Sequence, residues 1–356
     1  MRACGYPITL NVPPLVGGPR FGNLSIVAGH QNCLGRIGQT ENMLVRGGPG
    51  GRRMPALGEL DELARRLRCR PWVALTGAGM STDSGIPDYR GPSARPTAPM
   101  QYADFVRHPE ARQRYWARSM LGWQSFGAAR PNDGHFSLAA LDRAGLIGVI
   151  TQNVDGLHEA AGSRGVINLH GRIDQVVCLD CGRRSGRGRL QVRLRAVNAE
   201  VRGELGAGAA ELDDPSRLRP DGDAVVDEWH RFVVVPCEDC GGVLKPDVVF
   251  FGEQVPRTRV DKALGALAGA SVLVVLGSSL TVMSGLRFAR QQVQAGRELV
   301  IINRGPTRAD DLAHLRIHGG CSETLAQLMS LLDPAVTSDH SAEPKTTRLE
   351  PHKTTP

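Results

Sequence analysis

Four of the eight cysteines stand in two C-x-x-C pairs, Cys178/Cys181 and Cys237/Cys240. A glycine follows each pair and permits the tight turn that brings two thiols to one point. Four thiolates suit a tetrahedral structural zinc ion, in which no coordination position is left for water or substrate. A redox dithiol is the alternative, but two pairs with matching local sequence favour a metal ion and a reducing compartment.

Short apolar segments end in loops of small and polar residues that could bind a cofactor. These loops are residues 77–81 (GAGMS), 151–158 (TQNVDGLH), 277–281 (GSSLT) and 303–305 (NRG). Glycines let a backbone approach a pyrophosphate, and a following helix N-terminus offers free N–H groups. The first loop departs from G-x-G-x-x-G, because Thr82 stands at the third glycine position, and any one loop could be a simple turn or helix cap. Together, the loops predict a dinucleotide-type ligand.

A histidine and an extended segment flank the cysteine pairs. His170 lies on a Gly-flanked turn just before the first pair and is a candidate general base, although a lone histidine is more often structural. Residues 244–253 follow the second pair and read as an extended segment that returns to the main domain. Such a segment could pair with a peptide substrate by strand addition, or could simply be a core strand.

The elements that must position these residues follow from hydrophobic periodicity. Apolar strands are predicted at 72–76, 146–151, 272–276 and 299–302, and helices at 57–67, 136–144, 286–293 and 324–332. Short apolar strands alternating with helices predict an α/β fold with a parallel sheet covered on both faces. We therefore expect a Rossmann-like, doubly wound sheet with a smaller inserted zinc-binding module, and a ligand at the carboxyl ends of the strands.

Composition suggests the division of the chain into domains. We predict a disordered leader at 1–54, a folded domain at 55–333 and a disordered tail at 334–356, the folded domain having a Rossmann-like part at about 55–165 and 245–333 and a zinc module at about 172–244. The leader contains eleven Gly and five Pro with no sustained period. Met43 and Met54 are candidate later start positions. Across the whole chain, 41% hydrophobic residues exclude disorder throughout.

The distribution of charge and apolar residues bears on partners and location. The formal charge is +7, but the leader has six Arg and one acid, so the body contributes little of it. A nucleic-acid surface is therefore weakly supported. Without a run of about 18 apolar residues, no membrane span is predicted. The leader lacks a secretory apolar run, and its Gly and Pro disfavour the amphipathic helix of a mitochondrial signal, so we expect a cytoplasmic protein.

Taken together, the motifs resemble the sirtuin family, the NAD-dependent protein deacylases. The resemblance covers about residues 60–332. It rests on the ordered motifs GAGMSTDSGIPDYR, TQNVDGLH, LHG, the two C-x-x-C pairs, KPDVVFFGE, GSSLTV and INRGPTRADD. Tyr89, where many sirtuins have Phe, and the segment 112–118 (RQRYWAR) resemble the class II branch. The leader has no counterpart in the family.

The resemblance implies a role for each matching residue. It makes His170 the general base, and it implies one structural zinc ion on the four cysteines. Residues that would bind NAD are Gly77, Ala78, Gly79, Ser81, Asp88, Tyr89, Arg90, Gln152, Asn153, Asp155, Gly277, Ser278, Ser279, Asn303, Gly305 and Cys321. Residues that would contact the acyl-lysine substrate are Val248, Phe250 and Gly252.

The implied activity is transfer of an acyl group from protein lysine to ADP-ribose with release of nicotinamide. Protein ADP-ribosylation in the same NAD pocket is the nearest alternative. A zinc-ribbon nucleic-acid binder is a remote one, because it needs aromatic residues near the cysteines and only 4% of the chain is aromatic. The acyl preference is open. Tyr115 and Arg118, three apart on a probable helix, could meet an acidic acyl group or form an ordinary surface pair.

Overall fold

A computed structural model describes residues 57–89, 99–200 and 229–332 of the chain. The predicted leader at 1–54 and tail at 334–356 lie outside the described residues, as does Arg90. Three of the expectations above therefore have no structural counterpart to compare. All other site residues named from the sequence are described.

The described residues form two sheets and their covering helices. The strands are β1 (Trp72–Thr76), β2 (Leu146–Thr151), β3 (Val166–Asn168), β4 (Gly171–Cys178), β5 (Arg184–Gly186), β6 (Leu244–Val248), β7 (Val272–Leu276), β8 (Glu298–Ile302) and β9 (Leu315–Ile317). The helices are α1 (Leu57–Leu67), α2 (Tyr102–Arg107), α3 (Pro109–Ala128), α4 (Asp133–Ala140), α5 (Leu157–Ala160), α6 (Arg187–Val197), α7 (Arg257–Ala268), α8 (Met283–Gln294) and α9 (Cys321–Leu332). Short 3₁₀ turns lie at Ala78–Met80, Thr82–Ser84, Leu141–Ala144, Trp229–Arg231 and Asp310–Leu312.

The large sheet is parallel and has the strand order β3-β2-β1-β7-β8-β9. Alternate residues of its central strands face opposite sides. Val73 and Val275 pack against helices α7 and α8, whereas Ala74 and Val274 pack against α1, α4 and α9. Both faces are therefore covered, and the central strands β1 and β7 are almost entirely apolar because neither face meets water. This confirms the predicted Rossmann-like α/β fold.

The small sheet is antiparallel, with the order β5-β4-β6. An aromatic core lies between it and helices α2, α3 and α6, with Phe105, Tyr115 and Phe250 in mutual ring contact. Residues 244–248 belong to this sheet, where Leu244 pairs with Cys178. The sequence analysis had placed the return to the main domain at 245. The strand differs from that expectation because its backbone completes a ladder with β4, which an apolar pattern alone does not reveal.

Most predicted elements of the large sheet are observed with small shifts at their ends. The helix expected at 136–144 begins instead at Asp133, because Asn132 caps it: the Asn132 Oδ1 accepts from the His135 backbone N–H at 3.2 Å. The hydrophobic pattern did not indicate the ends of the 20-residue helix α3. Among the described residues, no helix combines the length and apolar character that crossing a bilayer requires.

Candidate functional site

A cavity of about 1490 Å³ opens at the carboxyl ends of β1, β2 and β7 and extends to the small sheet. The cavity brings together every predicted cofactor or substrate residue that the structure describes. These residues are Gly77, Ala78, Gly79, Ser81, Asp88, Tyr89, Gln152, Asn153, Asp155, His170, Val248, Phe250, Gly252, Gly277, Ser278, Ser279, Asn303, Gly305 and Cys321. They come from loops more than 200 residues apart in sequence, and the parallel sheet is what collects them.

Glycines form one wall of the cavity by close backbone packing. A Cβ added at Gly79 would lie 2.9 Å from Gly277 Cα, and one added at Gly77 would lie 2.7 Å from Ser278 Cβ. Gly277 has a φ of +61°, which side-chain-bearing residues rarely adopt. The Gly79 N–H donates to the Gly277 carbonyl at 2.9 Å. The loops after β1 and β7 are thus fixed against each other and leave open space that suits a phosphate group.

Polar side chains after β2 are held by the neighbouring loop. The Asn153 Nδ2 donates to the Gly77 carbonyl and to Ser81 Oγ, both at 3.0 Å. Ser81 in turn donates to Asp155 Oδ2 at 2.7 Å. Burial raises the pKa of Asp155, while the Leu157 N–H and the Ser81 hydroxyl act in the opposite direction. These hydrogen bonds fix the orientation of Asn153, Ser81 and Asp155 at the cavity wall.

His170 lies where the two sheets meet, between β3 and β4. Its carbonyl accepts from the Val249 N–H at 2.8 Å, and its Nδ1 lies 2.9 Å from the Gln152 carbonyl oxygen. Because that carbonyl can only accept, Nδ1 carries the proton of the neutral ring and Nε2 keeps its lone pair. Burial lowers the pKa of His170, so the ring is neutral and able to take a proton. The chain turns at Gly171, where φ is +85° and a side chain would meet the Asp247 carbonyl.

The segment after β6 lines the same cavity as the glycines. It is closed by a buried ion pair in which Lys245 Nζ lies 3.0 Å from Glu253 Oε2. The same carboxylate accepts from the Phe250 N–H at 2.8 Å, and the Lys245 Nζ also contacts the Val248 carbonyl and lies 4.6 Å from the Phe250 ring centroid. Both ends of the 245–253 segment are therefore tied together.

The remaining predicted cofactor residues line the two ends of the cavity. Asn303 Nδ2 donates to the Gly305 carbonyl at 2.8 Å, which fixes the loop after β8. Cys321 is buried at the start of α9, and burial raises the pKa of its thiol to about 12. At the opposite end, the Tyr89 ring lies 6.3 Å from that of Phe251, edge to face. The two rings bridge the loop after β1 and the segment after β6.

The four cysteines of the two pairs meet at one end of the small sheet. Their sulfur atoms lie within 4.8 Å of one another, with Cys178 and Cys240 at 3.5 Å and Cys181 and Cys237 at 3.9 Å. A tetrahedral zinc ion with Zn–S bonds of about 2.3 Å needs sulfurs about 3.8 Å apart, so the set fits zinc. Backbone N–H groups of Cys181 and Asp180 lower the pKa of the Cys178 thiol and favour the thiolate.

Several residues at the site had no role in the sequence analysis. Ser284 contacts His170, which lies 114 residues away, so no local pattern links the two residues. Lys245 and Glu253 lie within the motif KPDVVFFGE, but the motif did not indicate that the two pair with each other or that Glu253 binds the Phe250 N–H. Tyr115 and Arg118, considered above for an acidic acyl group, do not line the cavity. Tyr115 is buried, and its ring packs against Phe250 in the aromatic core of the small sheet.

Comparison with known proteins agrees with this geometry. The profile of the Sir2 family matches residues 77–284, more than half of the chain. A Streptomyces coelicolor protein named NAD-dependent protein deacetylase 1 is 56% identical over 274 residues, covering 76% of this chain and 88% of its own length. A Mycobacterium avium protein of the same name is 49% identical over 282 residues, covering 78% and 98%.

Solved structures give the same result at lower identity. A structure described as Sir2 with p53 peptide and NAD+ is 32% identical, has a TM-score of 0.56, and is matched over 77% of this chain and 98% of its own. A structure of Sir2Tm bound to a propionylated peptide is 31% identical, with a TM-score of 0.58 and coverage of 76% and 97%. The share and identity of these matches mean that the chain belongs to the Sir2 family.

Proposed function

We propose that the protein is an NAD-dependent protein lysine deacylase that transfers the acyl group to ADP-ribose and releases nicotinamide. One observation carries the proposal: a single cavity holds a glycine wall suited to phosphates, a histidine whose Nδ1 is hydrogen-bonded to the Gln152 carbonyl, and an extended segment suited to a peptide. Relatives at 49–56% identity named NAD-dependent protein deacetylase support it. The class II assignment stays a prediction from Tyr89 and segment 112–118.

In this proposal, NAD and the acyl-lysine protein are both substrates of the same cavity. The loops that contain the glycines after β1 and β7 bind the phosphates of NAD. Gln152, Asn153 and Asp155 orient its ribose and carboxamide groups. Val248, Phe250 and Gly252 hold the acyl-lysine chain. The acyl oxygen bonds to the anomeric carbon of the ribose as nicotinamide leaves, which gives an imidate. His170 Nε2 then takes a proton from a ribose hydroxyl, which attacks the imidate carbon, and addition of water releases free lysine and O-acyl-ADP-ribose.

The zinc ion has a structural role in this proposal. Four thiolates fill a tetrahedral coordination shell, so no position is left for a reacting oxygen. The ligands also lie at one end of β4, and His170 immediately precedes the other end of that strand. Cys178, Cys181, Cys237 and Cys240 would thus hold together the strands that carry the substrate segment. Four thiolates that bind a metal ion indicate a reducing compartment, and this also supports our inference of a cytoplasmic location.

Two alternatives are weighed by the same structure. Protein ADP-ribosylation would use the same cavity, and product analysis distinguishes it: an ADP-ribose adduct on protein against O-acyl-ADP-ribose and free lysine. The zinc-ribbon nucleic-acid binder is disfavoured, because Arg183 and Arg189 near the cysteines pair with Asp239 and Glu238. Arg187 is buried between two tryptophan rings. We expect no specific nucleic-acid partner.

The test is replacement of the proposed base. In His170→Ala, we expect deacylation of an acetyl-lysine peptide to fall by about 10²-fold or more, because general-base catalysis contributes roughly 10²–10⁴. Binding of NAD, measured by calorimetry, should persist. His108→Ala, at an exposed histidine outside the cavity, is the matched control and should match the wild type. Wild-type turnover in His170→Ala would overturn the assignment of the base.

A further inference from the structure

Ser284 contacts the proposed base directly. It lies in the first turn of α8, and its Oγ is 2.8 Å from His170 Nε2. His170 therefore has a hydrogen-bond partner at each ring nitrogen: the Gln152 carbonyl at Nδ1 and the Ser284 hydroxyl at Nε2. The sequence motifs gave Ser284 no role, because it lies 114 residues from His170 along the chain.

The two partners of the ring also pack against each other. Gly285, next to Ser284, approaches Gln152 so closely that an added Cβ would lie 2.5 Å from Gln152 Oε1. The Gln152 Nε2 is fixed in turn by Ser278 Oγ at 2.7 Å. The start of α8, the loop after β2 and the loop after β7 thus form one unit around the imidazole. A shift of Ser284 would require a shift of the residue that fixes the opposite side of the ring.

The hydroxyl of Ser284 can serve both protonation states of His170. It donates to the Nε2 lone pair of the neutral ring, and it can accept the Nε2–H of the imidazolium ion. A carboxylate could only accept, and an ammonium could only donate. The same side chain can therefore hold Nε2 before a substrate hydroxyl arrives and stabilise the cation after the proton has moved.

Charged groups near His170 make the contact between Ser284 and the imidazolium ion important. Arg287 on α8 and Arg259 on α7 both disfavour a positive imidazolium, in addition to the larger effect of burial. Arg259 is paired with Asp247 at 2.8 Å, which offsets part of its charge. Hydrogen bonds in which one partner is charged are stronger than neutral ones, so the Ser284 contact gains strength when the ring is protonated.

We propose that Ser284 is a positioning residue for His170, which keeps Nε2 directed into the cavity and stabilises the imidazolium formed by proton transfer. This inference rests on the proposed deacylase function. It predicts that loss of the hydroxyl makes His170 a weaker base and lowers its pKa. The acid limb of the pH–rate profile then moves to lower pH, while the rate on the plateau falls.

The test compares Ser284→Ala with Ser284→Thr, which keeps the hydroxyl. We expect kcat for an acetyl-lysine peptide to fall about 10-fold or more in Ser284→Ala, with KM for NAD little changed, since the lost bond is to a charged group. Ser284→Thr should recover most of the rate. Ser330→Ala, at an exposed serine of α9, is the matched control. In a His170→Ala background, Ser284→Ala should cause no further loss.

A measurement independent of turnover separates this proposal from the deacylase function. NMR titration of the histidines, with the His170 signals assigned by comparison with His170→Ala, reports the tautomer and pKa of the ring directly. We expect the Nδ1-protonated tautomer in the wild type and a lower His170 pKa in Ser284→Ala. An unchanged pKa and an unchanged kcat would overturn the Ser284 proposal. An inactive wild type with the expected NMR shift would overturn the deacylase function instead.

Discussion

The two sheets of this protein are stabilised in different ways. Strands β1 and β7 of the large sheet are buried at all five positions and lie between two apolar cores. Strand β4 of the small sheet alternates between buried and half-buried positions, and the sheet has only three strands among the described residues. The small sheet packs on its own aromatic core, and it also has four thiols at one end and the Lys245–Glu253 ion pair beside it.

This difference separates the two substrates of the proposed reaction. The cavity wall suited to NAD belongs to loops of the large sheet, which apolar burial holds in place. The wall suited to the acyl-lysine peptide follows directly from β6, which pairs with Cys178 of the cysteine cluster and carries Lys245 of the ion pair. Perturbing the small sheet should therefore affect peptide binding more than NAD binding.

The largest effect is expected from loss of zinc. Structural zinc contributes roughly 10–16 kcal/mol to folding in small peptides, so removal should unfold the small sheet. We expect Cys178→Ser/Cys237→Ser to lack stoichiometric zinc and to be cleaved rapidly by protease around β4 to β6. The large sheet should remain protected and should still bind NAD in calorimetry.

The matched control is Cys69→Ser, at an exposed cysteine outside the cluster. It should keep one zinc ion per chain and the protease resistance of the wild type. Simultaneous unfolding of both sheets in the double variant, seen as loss of protection in β1 and β7, would contradict the independence of the two regions.

A smaller effect is expected from the buried ion pair. Lys245→Met leaves the Glu253 carboxylate half-buried without its ammonium partner, and breaking a buried pair typically costs about 3–5 kcal/mol. Urea denaturation should show this loss. At a temperature where the variant stays folded, KM for the acyl-lysine peptide should rise several-fold more than KM for NAD. The reason is that the two ends of segment 245–253 are no longer held together by the ion pair.

Two further variants sharpen this prediction. Lys262→Met, at an exposed lysine of α7, should leave stability and both KM values unchanged. Lys245→Met/Glu253→Gln should recover part of the lost stability, since no unpaired charge remains. A rise in KM for NAD equal to that for the peptide would mean that the pair supports the whole cavity.

The third effect concerns two buried histidines next to the carboxyl end of β1. The rings of His135 and His158 lie 4.8 Å apart, and His158 Nε2 is 2.9 Å from Thr76 Oγ1 at the end of β1. Burial lowers the pKa of His135 to about 3 and that of His158 to about 4. Both stay neutral in the folded protein at pH values where the unfolded chain, with a histidine pKa of about 6.5, takes up protons.

Their contribution to stability is therefore complete above pH 6.5 and is lost as the pH falls towards 4. We expect roughly 3 kcal/mol of lost unfolding free energy per histidine between pH 7 and pH 4. His135→Gln should reduce this pH dependence by one histidine's share in urea denaturation at several pH values. His108→Gln, at an exposed site, should not alter the slope, and an unaltered slope in His135→Gln would refute a buried neutral ring.

The sequence predicted the large sheet better than the small one, for a physical reason. Runs of apolar residues such as 72–76 and 272–276 can be recognised as strands in the sequence, because a strand buried on both faces is apolar along most of its length. Strand β6, at Leu244–Val248, contains Lys245, Pro246 and Asp247, so its pattern does not indicate which sheet it joins. Only the backbone ladder with β4 decides this.

The candidate site divides in a similar way. Gly77, Asn153 and the cysteine pairs could be named because motifs of consecutive residues carry them. Ser284 could not be assigned a role, because its contact with His170 is set by the fold. The burial of Tyr115 could not be predicted either, since its helical spacing with Arg118 is compatible with a surface or a core position.

Gly79 and Gly277 have a consequence for how this protein tolerates change. Each of the two positions is filled by the backbone of the other, so a methyl group at either one would displace its counterpart 198 residues away. In a saturation mutagenesis experiment, both positions should reject every substitution, and no second-site change at one should rescue the other. Gly58, on α1 with no neighbour within 4 Å, should accept most residues. Two distant codons are in effect inherited as a single constraint.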